Sequence, residues 1–242
     1  NKLNSDFFFF LQKEVYALMT LLEKSISGAG SVAIISGEPG TGKSSLIYKF
    51  LQEAQAKYSD LVYATGICSY QLGVGEPYLP FKEICSLLCG NVSIQFSQSD
   101  TSITNANRLA KNAPKVIQVF SEIGANFIST LIPSWYVNME QGLLEFDPEN
   151  SFVPLKSQST NVISPNISSE LALALNKLSE MFPIILVLDD LQWSDISSIE
   201  LLCNLIRMLY GHRVMFICAF RSGSEAETVK SLQSCFGVMK YR

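Results

Sequence analysis

The sequence predicts an α/β domain of three layers, α/β/α, built on a mostly parallel central sheet. Three observations carry that expectation. Short apolar runs at 31–36, 61–66, 184–189 and 214–220 alternate with amphipathic helical patterns, the arrangement that covers a parallel sheet on both faces. A glycine-rich run separates the first strand from the helix after it. The third strand ends in two adjacent acids, Asp189 and Asp190.

Taken in order, residues 7–26 read as an amphipathic helix with Leu11, Val15, Leu18 and Leu22 on one face. Its start, Phe7-Phe8-Phe9-Phe10-Leu11, has the apolarity of a signal-peptide core. Asp6 precedes it, however, and no small-residue cleavage site follows. The first strand leads through the glycine run into a helix ending near residue 57, and the second strand follows. A long insertion, about 68–183, then separates the second and third strands. Helical patterns near 80–89, 104–131 and 168–182 give it structure of its own. Ser/Asn/Thr-rich stretches at 91–107 and 151–169 read as loops. After the third strand, Ser197-Ser198-Ile199-Glu200 offers a capping box for a helix with Ile199, Leu202, Leu205, Ile206 and Leu209 inward. The fourth strand ends just before Arg221, and Val238-Met239-Lys240-Tyr241 is a candidate for one more. Residues 1–242 are expected to form a single domain, and to be a piece of a longer chain.

The net charge is −4 with no basic block, so a nucleic-acid surface is not expected. No apolar run approaches bilayer length. The six cysteines form no C-x-x-C pair and there is a single histidine, which speaks against zinc. Cys85 and Cys89, one helical turn apart, read as one core face. This usage fits a reducing compartment, and a cytoplasmic location is the expectation.

The run Gly37-Glu38-Pro39-Gly40-Thr41-Gly42-Lys43-Ser44 has the G-x-x-x-x-G-K-[ST] spacing of a phosphate-binding P-loop, between strand and helix as that motif requires. Polyphosphate is a dense anion. Backbone N–H groups at a helix N-terminus ring it, and the helix dipole favours it there. Gly37, Gly40 and Gly42 let the backbone curl close, and Lys43 brings positive charge to the β/γ-phosphates. Ser44 supplies a hydroxyl for Mg²⁺, and Ser45 continues the helix start.

Two carboxylates at the end of an apolar strand are costly unless they hold a metal or a water. Beside a P-loop, Asp189 and Asp190 read as a Walker B motif. Asp189 then holds Mg²⁺, and Asp190 orients or deprotonates the attacking water. Arg221 stands where ligand groups gather in a parallel sheet. It is either a γ-phosphate contact or a solvated arginine.

Asp189-Asp190-Leu191-Gln192-Trp193-Ser194-Asp195 resembles the D-D-L-[HQ]-W-[AS]-D signature of STAND-type predicted ATPases, AAA-related signal-transduction NTPases. Gly37 to Leu46 is similar to that family's P-loop, and Gly75-Glu76-Pro77-Tyr78-Leu79-Pro80 resembles a further segment after its second strand. Ala219-Phe220-Arg221 resembles its strand-end T-Y-R, so Arg221 matches the sensor arginine. The resemblance spans about 8–240. It implies a P-loop NTPase fold and an ATP-dependent switch. Bound ATP or ADP, with Mg²⁺, would set the domain against neighbouring domains of the parent chain or against another copy. The family's F-x-G-R-E before the first helix is not matched. Phe10 and Leu11 of Phe8-Phe9-Phe10-Leu11-Gln12-Lys13-Glu14 stand where Gly-Arg is expected, near the base and ribose. Trp193 is expected to pack under the acidic turn.

Other nucleotide functions fit less well. A small-molecule kinase needs a lid with arginines, and 68–183 holds only Arg108. A GTPase needs N-K-x-D, whereas Asn176-Lys177-Leu178-Ser179 lacks the acid. A non-catalytic ATP-binding scaffold is the remaining alternative, and intact Lys43, Ser44, Asp189 and Asp190 argue against it.

Overall fold

The computed structural model describes residues 2–68, 77–91, 102–123, 130–132 and 167–222, with side chains from residue 12 onward. The elements are α1 (Lys2–Lys24), β1 (Ser31–Gly37), α2 (Lys43–Lys57), β2 (Val62–Ile67), α3 (Leu79–Leu88), α4 (Ile103–Ile123), α5 (Ile167–Met181), β3 (Ile184–Asp189), α6 (Ile196–Met208) and β4 (Val214–Arg221). The four strands form one sheet in the order β1-β4-β3-β2. Every pairing is parallel.

The period-2 geometry of a strand divides the core into two. Ile184, Leu186 and Leu188 of β3, with Val214, Phe216 and Cys218 of β4, face α3, α4, α5 and α6. Ile185 and Val187, with Met215, Ile217 and Ala219, face α1 and α2. Both faces being covered, the strands read as unbroken apolar runs, and the three-layer expectation holds. Val15, Leu18 and Leu22 of α1 are buried as expected.

The insertion also explains the sheet edge. β2 is terminal in the sheet order, so one row of its backbone groups lacks a strand partner. Asn105 of α4 fills part of that row: its Nδ2 donates to Tyr63 O at 2.9 Å and its Oδ1 accepts from Tyr63 N at 3.1 Å. Glu83 of α3 fills another part, accepting from Ile67 N at 2.7 Å. Arg108, one turn beyond Asn105, donates to the carbonyls of Gln55, Tyr58 and Leu61 and so satisfies the C-terminal end of α2. The arginine considered for a kinase lid is therefore committed to holding α4 against α2.

Several expectations change. The capping box is not used. Helix α6 starts earlier, and Asp195 is its N-cap, accepting from Ser198 N at 2.9 Å. Where the helical patterns near 104–131 and 168–182 overlapped the loop readings, the helix holds, and it extends one residue further back in each case, to Ile103 and Ile167. Arg221 belongs to β4 rather than following it. Trp193 is 41% exposed, whereas Leu191, two residues before it, is fully buried. Helix 104–131 is seen to Ile123. Residues 124–129, the candidate strand 238–241, Cys235, Gly75 and Glu76 lie outside the described residues, as do most of both Ser/Asn/Thr-rich stretches and the side chains of Phe7 to Leu11.

Candidate functional site

The sheet order decides the site. With β4 between β1 and β3, the carboxyl ends of three strands stand side by side: Gly37 pairs with Arg221, and β3 ends in Asp189 beside them. The glycine run crosses this edge and enters α2. Its residues Glu38, Pro39, Gly40 and Thr41 are exposed. Gly40 and Gly42 have φ of 80° and 86°, a left-handed conformation that side chains other than glycine's rarely accept. A Cβ on Gly37 would lie 2.7 Å from Thr41 Oγ1, so a side chain there would displace that hydroxyl. Thr41 Oγ1 in turn donates to Glu38 O at 2.8 Å.

Gly42 is the N-cap of α2 and contributes no side-chain cap. The first helical bond runs from Leu46 N to Gly42 O, at 2.8 Å. The N–H groups of Lys43, Ser44 and Ser45 therefore stand ahead of the helical bonding, where an anion is favoured. The Lys43 ammonium donates to the carbonyls of Gly37 and Glu38, both at 2.9 Å.

Ser44 Oγ donates to Asp189 Oδ2 at 3.2 Å. The other oxygen, Oδ1, accepts from Asp190 N at 2.8 Å, which fixes the plane of the carboxylate. Asp190 has φ of 54°, the left-handed region, which Asp tolerates better than most residues. Its Oδ1 accepts from Gln192 Nε2 at 2.6 Å and lies 3.5 Å from Arg221 Nε. Gln192 Oε1 accepts from Arg221 N at 3.0 Å, and Ser222 N donates to Gly37 O at 3.0 Å. The polar groups thus close a ring: Lys43, Gly37, the end of β4, Gln192, Asp190, Asp189 and Ser44.

Sequence reasoning singled out every member of this ring except Gln192 and Ser222. Gln192 lay within a quoted motif, but a lone glutamine carries no signal of its own. Cys68 also lies near the acids. Burial pushes its thiol up to about 12, so it stays protonated. The buried pair Cys85 and Cys89 share the core face expected of them.

The donor set suits Mg²⁺. A hydroxyl and a carboxylate are hard oxygen ligands, and Ser44 Oγ and Asp189 Oδ2 already converge beside the anion-favouring helix start. No helix of the described residues is long and apolar enough to cross a membrane. Among curated proteins none matches the chain. A family profile described as an AAA ATPase domain matches residues 8–217. With that span covering most of the chain, and with a parallel sheet, P-loop and acidic strand end in one place, the chain belongs to the AAA ATPase domain family and is a nucleotide-binding P-loop module.

Proposed function

We propose that this domain is a slow, Mg²⁺-dependent ATPase that acts as a nucleotide switch of the STAND type within a larger signal-transduction protein. The observation that carries the reading is the meeting of Ser44 and Asp189, 145 positions apart in sequence and 3.2 Å apart in space, at the mouth of the P-loop. Bound Mg²⁺ would be held by these two oxygens and would supply charge neutralisation between the β- and γ-phosphates.

The chain supplies the rest. The backbone of Gly37, Glu38, Gly40, Thr41, Gly42, Lys43, Ser44 and Ser45, with Pro39 shaping the loop, cradles the phosphates. Lys43 exchanges the carbonyls of Gly37 and Glu38 for phosphate oxygens. Asp190 orients the attacking water and takes its proton. Arg221, at the end of the adjacent strand, meets the γ-phosphate. Turnover is slow because Arg108 is committed to α2, and Arg213, just before the start of β4, stands at the far end of that strand from Arg221, so neither assists it. A neighbouring domain or another copy would supply the missing charge.

Steady-state phosphate release by the intact chain, with and without Mg²⁺, tests this against Asp190→Asn. The expected result is Mg²⁺-dependent turnover that falls about 100-fold in the variant while ATP binding persists. A wild-type chain that binds ATP and releases no phosphate would be a non-catalytic nucleotide module instead.

A further inference from the structure

Asp190 sits in a left-handed turn between a rigid strand and a short helical turn, Leu191–Trp193. Its side chain is about one-third exposed. Nothing in that backbone by itself fixes the carboxylate torsion. Gln192 does. One end of its amide holds Asp190 Oδ1 at 2.6 Å, and the other end holds the backbone N–H of Arg221 at 3.0 Å.

The orientation of this amide is not arbitrary. A backbone N–H can only donate, so it must meet Oε1. The opposite end is then Nε2, a donor, and an ionised carboxylate accepts from it. Each partner satisfies the other with no spare choice. The amide therefore spans from the acid on one strand end to the arginine on the next. The contacts from Gln192 Nε2 and Arg221 Nε both fall on Oδ1 of Asp190, so a water proton would be received at Oδ2.

We propose that Gln192 is a positioning residue for hydrolysis: its amide fixes the Asp190 carboxylate against the backbone of Arg221, tying the water-directing acid to the strand end that meets the terminal phosphate. The proposal rests on the ATPase reading and on Asp190 as the water-directing acid. It adds that the torsion of that acid is set from β4 mainly through the Gln192 amide, at 2.6 Å, with the Arg221 guanidinium farther off at 3.5 Å from the same oxygen. A carboxylate misplaced by about 1 Å costs on the order of 100-fold in rate.

The test compares wild type, Gln192→Ala, Gln192→Glu, Asp190→Asn and the double variant Gln192→Ala/Asp190→Asn in the intact chain. KM and kcat for Mg-ATP are measured for each, with a melting curve to establish folding. Gln192→Ala removes both contacts of the amide. Gln192→Glu keeps the acceptor for Arg221 N and replaces the donor with a second carboxylate, so it isolates the bond to Asp190. Both are expected to lower kcat by about 10–100-fold, with KM for ATP within about threefold of wild type. In the Asp190→Asn background, Gln192→Ala should cause no further loss, because a residue acting through Asp190 has nothing left to position.

The outcomes separate the two claims. If the wild-type chain releases no phosphate, or Asp190→Asn keeps full turnover, the ATPase reading fails and this inference falls with it. If Asp190→Asn loses turnover while a folded Gln192→Glu keeps it, the reading stands and the positioning role is wrong. An additional loss in the double variant would also overturn it, since Gln192 would then act by another route.

Discussion

Glu83 shows at the scale of one residue how the fold changes chemistry beside the site. Its carboxyl is pushed above its ordinary value near 4.5 by burial, against the Ile67 N–H, which favours the charged form. An acid whose folded value is raised holds its proton longer in the folded state than in the unfolded chain. Stability then falls as pH rises above about 4.5 and levels off above the raised value. Glu83→Gln keeps an acceptor for Ile67 and removes the charge. The variant should match wild type below about pH 4.5 and melt higher than wild type at neutral pH. A melting difference that stays flat from pH 4 to 8 would show that burial of this charge costs nothing. Such a residue is invisible in sequence, because a mid-helix acid has no spacing partner. Lys43, Ser44, Asp189 and Asp190 stand out as candidates in sequence because phosphate and metal chemistry favours their types at fixed positions, and the structure brings the last three into contact. Gln192 falls between: its place is within a motif, but its task depends on Arg221 being one strand away.

At the scale of elements, the insertion is tied to the sheet by side chains that imitate a strand. Asn105 is 1% exposed, and both bonds to Tyr63 come from its amide. Asn105→Ala removes a donor and an acceptor from that buried edge together. The expected loss is about 2–4 kcal/mol, or roughly 5–15 °C in melting temperature for a domain of this size. Differential scanning calorimetry decides it, and a loss under about 1 kcal/mol would mean that other groups close the edge. Gly66 constrains the same region from the strand side, since a Cβ there would lie 2.2 Å from Pro80 O in α3. The start of α6 shows why element ends are hard to read. Two overlapping patterns, Asp195-x-x-Ser198 and Ser197-x-x-Glu200, both offer a cap. The turn Leu191–Trp193 delivers the chain to Asp195 first, and that cap wins. The same turn buries Leu191 fully and leaves Trp193 41% exposed.

At the scale of the whole molecule, the class of fold was legible from alternating apolar runs and helices, but the strand order was not. Any parallel order buries the same residues, because each strand offers its two faces whatever its neighbours are. The order matters for function: β4 between β1 and β3 sets Arg221 between the P-loop and the acids. The ring of polar contacts across that edge joins three strands and α2, so a nucleotide held there would brace all four elements at once. Binding that is restricted to the folded chain stabilises it by about 2.7 kcal/mol at a hundred times Kd, roughly 5–10 °C here. Mg-ATP should therefore raise the melting temperature of the wild type by that amount and leave Lys43→Ala nearly unmoved. GTP should give a smaller shift than ATP if the base is read as the family reading implies. Arg221→Ala should bring the ATP shift down towards the ADP shift, because the side chain removed is the one assigned to the γ-phosphate. Equal ATP and ADP shifts in the wild type would leave Arg221 no phosphate to sense. A full shift in Lys43→Ala would locate binding away from the P-loop and remove the physical basis for the switch.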